Sequence, residues 1–298
     1  MRLALATCSN LPDWEVDDVP FHEAIVDAGI EMVRPIWDDP AVDWTSFDAV
    51  LIRTTWDYQE KQVAFNAWAR RVSEHTHLVN PVDVVVWNTA KTYLRDLEAV
   101  GAPLTPTRWL DKGTNVNISE LMKEAGWARG FLKPVVGATA RETLPFDITE
   151  EGLAKAQAHL DRLLPEESMM LQPFLESVLQ EGEYSAIFFG GEFSHGVQKI
   201  PVPGDYRVQD DFGATDKPHV FSEADYKTVK RIESSLLRLV SERFDGVALT
   251  YARVDMIRDA EGNLCLNELE LVEPSLFFRH DPASPKRLVD VLKRSFDN

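Results

Sequence analysis

The sequence predicts a mixed α/β and α+β protein, with a mostly parallel N-terminal sheet followed by units built on antiparallel strands. Three observations carry this. Short apolar runs alternate with helical segments over residues 1–100, a βαβ rhythm that places helices on the faces of a sheet. EYSAIFFGGEFSHGVQKI folds back at Gly190–Gly191 as a hairpin. LTYARVDMIRDAEGNLCLNELEL makes a second hairpin about the turn AEGN. A chain of 298 residues is long enough for two or three such units.

In order, RLALAT is the first strand, and PFHEAIVDAG is a helix with Pro at its start and Gly at its end. IEMVRPIW and FDAVLIRT are further strands, and EKQVAFNAWARRVSEH is a helix. Sites in such sheets gather at the carboxyl ends of strands, where RTTWDY lies. VDVVVWNTAKTYLRDLEAVG predicts one long helix over 82–101, and the prolines of APLTPTRW mark a boundary near residue 105. Next come the strand RGFLKPVV, the loop GATARE, a helix around 149–164 and the strand MMLQPFL. After the first hairpin, a helix over 222–243 opens with Ser222 and with Asp225 three residues on, a capping-box-like start. The expected units are 1–104, 105–172 and 173–298.

The formal charge of −18 opposes binding to nucleic acid or anionic membrane. Cys8 and Cys265 have no metal-ligand spacing, and no apolar run has the length of a signal peptide or membrane span, so a reduced cytoplasmic setting is expected. A homodimer is the partner state that base rates favour.

Side chains at i and i+2 share a face of a strand. Leu266, Glu268 and Glu270 should therefore point one way and Cys265, Asn267, Leu269 and Leu271 the other, with Asp255 opposite the glutamates. Three converging carboxylates suit a hard cation such as Mg²⁺. The alternative is an edge strand carrying solvated acids. Lys133, inside GFLKPVV, is expensive to bury unless it is paired or serves a ligand; its alternative is an edge lysine reaching water. Taken singly, Lys91 in WNTAKTYL and Lys199 in GVQKIP are ordinary surface charges, and VVGATARET is a small-residue loop that would let backbone approach an anion.

The order of these features resembles the ATP-grasp superfamily, in its prokaryotic glutathione-synthetase-like branch: a lysine on a helix, a lysine in a strand, a small-residue loop, LQPFL, then the D…ExE hairpin of RVDMIRDAEGNLCLNELELVEPS. The resemblance spans nearly the whole chain. It implies an N-terminal Rossmann-like domain, a small lid subdomain and a C-terminal antiparallel-sheet subdomain, with ATP clamped between the last two. It implies that Lys91 and Lys133 contact phosphates, that loop residues Gly137, Ala138 and Thr139 close over them, and that Gln172, Pro173, Phe174 and Leu175 form the hinge beside adenine. Glu176 or Glu183 would take the ribose, Lys199 and Arg253 would lie near the γ-phosphate, and Asp255, Glu268 and Glu270 would hold Mg²⁺. The family pattern often has Asn where Glu270 stands. Arg207 would cover the substrate carboxylate. The implied reaction is carboxylate–amine ligation through an acyl phosphate on a small amino-acid-like substrate, with Arg53, Trp56, Asp57, Tyr58 and Ser275 around it. DWEVDD, RTTWDY and EPSLFFR also look like the cyclo-ligases of cycloserine biosynthesis, which would close a ring within O-ureido-D-serine. The competing readings are an amino-acid or peptide ligase and a non-catalytic nucleotide-binding protein.

Overall fold

The protein is described here from a computed structural model covering residues 1–11, 17–209 and 212–296. Of DWEVDD, only Asp17 and Asp18 lie among the described residues.

The first unit comprises β1 (Arg2–Thr7), α1 (Val19–Asp27), β2 (Glu31–Val33), β3 (Ala49–Thr54), α2 (Gln62–Ser73) and β4 (His77–Val79). Its sheet is parallel throughout, in the order β2-β1-β3-β4. Leu3 and Leu5 pack on one face with Phe21 and Ile25 of α1. Ala4 and Ala6 pack on the other with Phe65 and Trp68 of α2. Alternation along one strand thus fills two cores, as a sheet covered on both sides requires. The strand expected over IEMVRPIW is short, with one further bridge from Thr7 to Ile36.

The helix expected over 82–101 is two helices, α3 (Val82–Asn88) and α4 (Tyr93–Ala99). The break has a tertiary cause: the Lys91 amide donates to Val135 O at 2.8 Å, across to the next unit.

That unit contains β5 (Arg108–Leu110), α5 (Ile118–Ala125), β6 (Arg129–Pro134), β7 (Leu144–Asp147), α6 (Glu150–Leu163) and β8 (Met169–Pro173). The sheet is antiparallel, in the order β5-β8-β6-β7, and sequence reasoning missed both β5 and β7. The remainder is α7 (Ser177–Gln180), β9 (Glu183–Phe189), β10 (Glu192–Ile200), β11 (Thr215–His219), α8 (Glu223–Arg243), β12 (Tyr251–Arg258), β13 (Leu264–Glu270) and α9 (Ser284–Phe296). Its sheet is also antiparallel, in the order β11-β10-β9-β12-β13. Ser222 caps α8 by accepting from the Asp225 amide at 3.1 Å, as the sequence suggested. No helix among the described residues is long and apolar enough to cross a membrane.

The edge strand β13 is closed by a short backbone bridge from Leu104 to Leu266 and, beyond it, by side chains. Asn88 donates to Leu269 O at 2.9 Å and accepts from Leu271 N at 2.7 Å, and the Tyr93 hydroxyl accepts from Leu269 N at 3.1 Å. Asn80 does the same one level on: its Nδ2 donates to Tyr251 O and Leu271 O at 3.0 and 2.9 Å, and its Oδ1 accepts from Thr250 N at 2.7 Å. An amide side chain matches a strand edge because it carries both a donor and an acceptor. These asparagines tie the first unit to the last.

Candidate active site

The last hairpin positions the acids. Asp255 faces Glu268 and Arg253 faces Glu270, with an irregularity between Asp255 and Met256 because Met256 pairs with Leu266. The skipped residue is Asn267, a β-bulge that reverses the alternation. Leu264 and Leu266 therefore lie in the core beside Leu269 and Leu271, while Asn267, Glu268 and Glu270 face a cavity. This corrects the expectation that Leu266 shares the glutamates' face and that Asn267 points away from them.

Cations from four other positions meet these acids. Lys91 and Lys133 approach Glu268 Oε1 at 3.4 and 3.5 Å. Lys133 Nζ donates to Asn267 Oδ1 at 3.1 Å, and Asn267 Nδ2 donates to Glu183 at 2.6 Å. Lys199 pairs with Glu183 and lies 3.3 Å from Asp255. Arg253 donates to Asp255 at 2.9 Å, to Glu270 at 2.6 Å and to Ser275 O at 3.0 Å. Asp255 also accepts from Ser185 Oγ.

Charge states follow from burial set against these pairs. Burial pushes the Lys133 ammonium below its usual value, and Glu268 recovers only part of that. Burial alone would raise Glu268, but Lys91 and Lys133 pull it below the carboxylate range. Burial likewise opposes Asp255, yet Arg253 and Lys199 bring it down to about 2. At Glu270 burial and two acid neighbours, Asp255 and Glu268, outweigh Arg253 and Lys199, and it stands at about 7. Burial raises Glu183 as well, with Lys199 as its main counterweight.

Two cavities meet at this cluster. The first is walled by Phe131, Phe174, Leu175, Val178, Tyr206 and Ile257, with Gln172 and Pro173 along one side. Phe131, Phe174 and Tyr206 contact one another edge to face. The second is lined by Trp56, Tyr58, Ser275, Phe277 and the charged hairpin. Lys91, Gly137, Ala138, Thr139, Glu183, Val208, Gln209, Asn267 and Glu268 border both. Gly137–Thr139 begin a loop with positive φ at Thr139, Ala140 and Glu142. Several attachments hold it. Lys91 Nζ donates to Gly137 O at 2.7 Å, Gln59 accepts from the Ala138 amide, Arg141 pairs with Glu167, Glu142 pairs with Arg162, and the Thr143 and Tyr206 hydroxyls lie 2.7 Å apart.

Several expected site residues lie elsewhere. Arg53 is 2% exposed and doubly bonded to Asp18, at 3.0 and 2.7 Å. Asp57 accepts from Trp37 Nε1 at 2.7 Å and Lys61 Nζ at 3.1 Å. Neither lines either of these two cavities; both are locked within the first unit. Glu176 is half-exposed and pairs with Arg129 at 2.6 Å, which leaves Glu183 as the acid beside the first cavity. Arg207 borders the first cavity rather than the second, and Asp205 holds it at 2.6 Å. Sequence reasoning missed Asn267, Tyr206 and Glu273 at these walls, and Gln59 at the loop beside them. An asparagine after an apolar run, as in LCLN, was the one available signal.

The donor set can be tested against a divalent cation. Its oxygens are hard donors of the kind Mg²⁺ takes. Five acids (Glu183, Asp255, Glu268, Glu270, Glu273) line the second cavity against three bases (Lys91, Lys199, Arg253), so the carboxyl groups outnumber the bases by two. The residues fit such an ion in chemistry and charge. They do not converge as a ready cage: among the described residues no group of three His, Cys, Asp or Glu side chains does, since each hairpin acid leans toward a lysine or arginine.

Comparison with known proteins gives a consistent result. A family profile described as the N-terminal domain of the D-cycloserine synthetase DcsG matches residues 3–80. The cycloserine biosynthesis protein DcsG of Streptomyces lavendulae is 32% identical over 289 residues, 92% of each chain. The crystal structure of D-cycloserine synthetase DcsG superposes with a TM-score of 0.89 at 29% identity, covering 99% of both chains. A D-alanine–D-alanine ligase from Bacillus anthracis, complexed with ATP, shares the fold at a TM-score of 0.67 and 15% identity, over 99% of this chain and 96% of that one.

Proposed function

The chain belongs to the DcsG family of ATP-grasp ligases, and we propose that it activates the carboxylate of O-ureido-D-serine with ATP and closes the cycloserine ring within that one molecule. The observation that carries this is the junction of the two cavities. An aromatic-walled slot suited to a flat base opens, across Lys91, Glu183 and Glu268, into a charged chamber with room for phosphates and a small acid. The division into units 1–104, 105–172 and 173–298 accompanies this reading, each unit supplying one wall.

Phosphoryl transfer needs positioning and charge neutralisation more than covalent help. Phe131, Phe174 and Tyr206 would sandwich the base, and the hinge 172–175 would offer backbone groups to its polar edge. Glu183 is the better placed acid for the ribose. Lys91 and Lys133 would exchange part of their hold on Glu268 for phosphate oxygens. Asp255, Glu268 and Glu270 would hold Mg²⁺, which when bound neutralises phosphate charge. Lys199 and Arg253 face the point where the substrate carboxylate would attack the γ-phosphate, and the loop 137–143 keeps water from the acyl phosphate. The ureido nitrogen bonded to oxygen then attacks the acyl phosphate and expels phosphate, and loss of its carbamoyl group to water, as carbon dioxide and ammonia, would leave cycloserine.

The test is ADP release by the full chain with Mg²⁺-ATP and O-ureido-D-serine. Release that needs no second amine, with cycloserine in the product, is expected. Release only on adding a second amine would replace this reading with intermolecular ligation. Nucleotide binding without turnover on any acid would replace it with a non-catalytic role.

A further inference from the structure

Glu273 stands apart from the other acids of the second cavity. Glu183, Asp255, Glu268 and Glu270 each touch a lysine or arginine. Glu273 is 7% exposed and borders the same cavity, yet among the described residues its carboxyl forms no direct ion pair and hydrogen-bonds only to its own backbone amide. A buried carboxyl without a contacting cation is costly, and such a group persists where something outside the chain completes it. Burial, and next the neighbouring Glu270, raise its proton affinity well above the carboxylate norm, more than Arg253 and Lys91 bring it back.

Its surroundings define what would fit. Trp56, Tyr58 and Phe277 wall the same cavity, and aromatic faces favour a desolvated ammonium. The Trp56 indole N–H donates to the Glu273 carbonyl at 3.2 Å, so the wall and the acid are fixed to each other. Arg253, whose Nη1 donates to Ser275 O two residues on, supplies the opposite sign nearby.

We propose that Glu273 selects the substrate's amino group, its carboxylate receiving the α-ammonium of an amino-acid substrate whose own carboxylate lies toward Arg253 and Lys199. This rests on the ligase reading above and names the recognition that reading lacks, since Arg53 and Asp57 are held elsewhere.

The test compares two probes on the full chain: O-ureido-D-serine and 3-(ureidooxy)propanoic acid, which lacks only the α-amino group. In Glu273→Gln, KM for the first probe should rise roughly 30-fold or more. KM for ATP should stay within about twofold, and the preference for the amine-bearing probe should collapse. An unchanged preference overturns the proposal even if turnover falls. A second measurement does not depend on ligase activity: the thermal shift produced by O-ureido-D-serine in the presence of ATP. Stabilisation of the wild type that is lost in Glu273→Gln and partly kept in Glu273→Asp supports the assignment. An equal shift in wild type and Glu273→Gln, or none in the wild type, overturns it. A ligase that needs a second amine but still loses amine preference in Glu273→Gln would sink the ring-closing reading alone.

Discussion

The end of β3 and the last hairpin look alike on paper. One carries Arg53 and Asp57, the other Arg253 and Asp255, and all four side chains are buried. Their circumstances differ. Arg53 and Asp57 find Asp18, Trp37 and Lys61 inside their own unit, and neither of the two site cavities touches them. Arg253 and Asp255 border open space, and their neighbourhood includes cations from β6, β10 and the break between α3 and α4. Burial alone therefore does not mark a functional charge. What marks it is a set of partners drawn from separate units around a space that chain atoms do not fill.

The contrast can be broken most directly at Glu268. Glu268→Gln should lower kcat by roughly 100- to 1,000-fold, the loss usual for one preorganised electrostatic contact, with the melting temperature little changed. Asp57→Asn should do the reverse, with near-normal ADP release from a less stable protein. Normal Mg²⁺-dependent turnover in Glu268→Gln would remove the hairpin from the chemistry. Next in size is Arg53→Met. It strands Asp18 without its guanidinium and should cost about 3 kcal/mol in urea unfolding while leaving the affinity for ATP unchanged. A weakened nucleotide affinity there would mean the two regions are not separable.

Lys133→Ala should reduce ATP affinity by about 2 kcal/mol, the range for a hydrogen bond to a charged group, measured by nucleotide titration. Unchanged affinity would assign Lys133 to structure, alongside Arg53. The smallest effect is expected at Gln59→Ala, which frees one attachment of the 137–143 loop and should raise KM for ATP several-fold, about 1 kcal/mol. No change would show that the remaining contacts, from Lys91, Arg141, Glu142 and Thr143, suffice to hold that loop.

Much of the fold was legible because local rules decide it. The βαβ rhythm gave the parallel sheet, paired glycines gave the β9–β10 turn, and Ser222 with Asp225 marked the start of α8. What escaped was set by distant partners. Nothing within 82–101 says that the Lys91 amide will be claimed by Val135, so the helix break was invisible. Nothing in RTTWD says that Asp18 and Trp37 will consume its charges. The acids of the D…ExE hairpin were legible from spacing, and the lysines only from their order along the chain. Glu273 was not, because it follows the strand and its role depends on which groups fail to reach it.

One added residue in β13 has a further consequence. Up to Leu266 the even-numbered positions pack inward; from Glu268 on they look into the cavity, and the odd ones, Leu269 and Leu271, pack instead. A substitution scan along this strand should therefore change phase at Asn267, with loss of folding and loss of turnover trading parity there. Deleting a single residue from the 259–263 turn would not merely shorten a loop; if the pairing followed the chain, it would present leucines to the nucleotide and glutamates to the core.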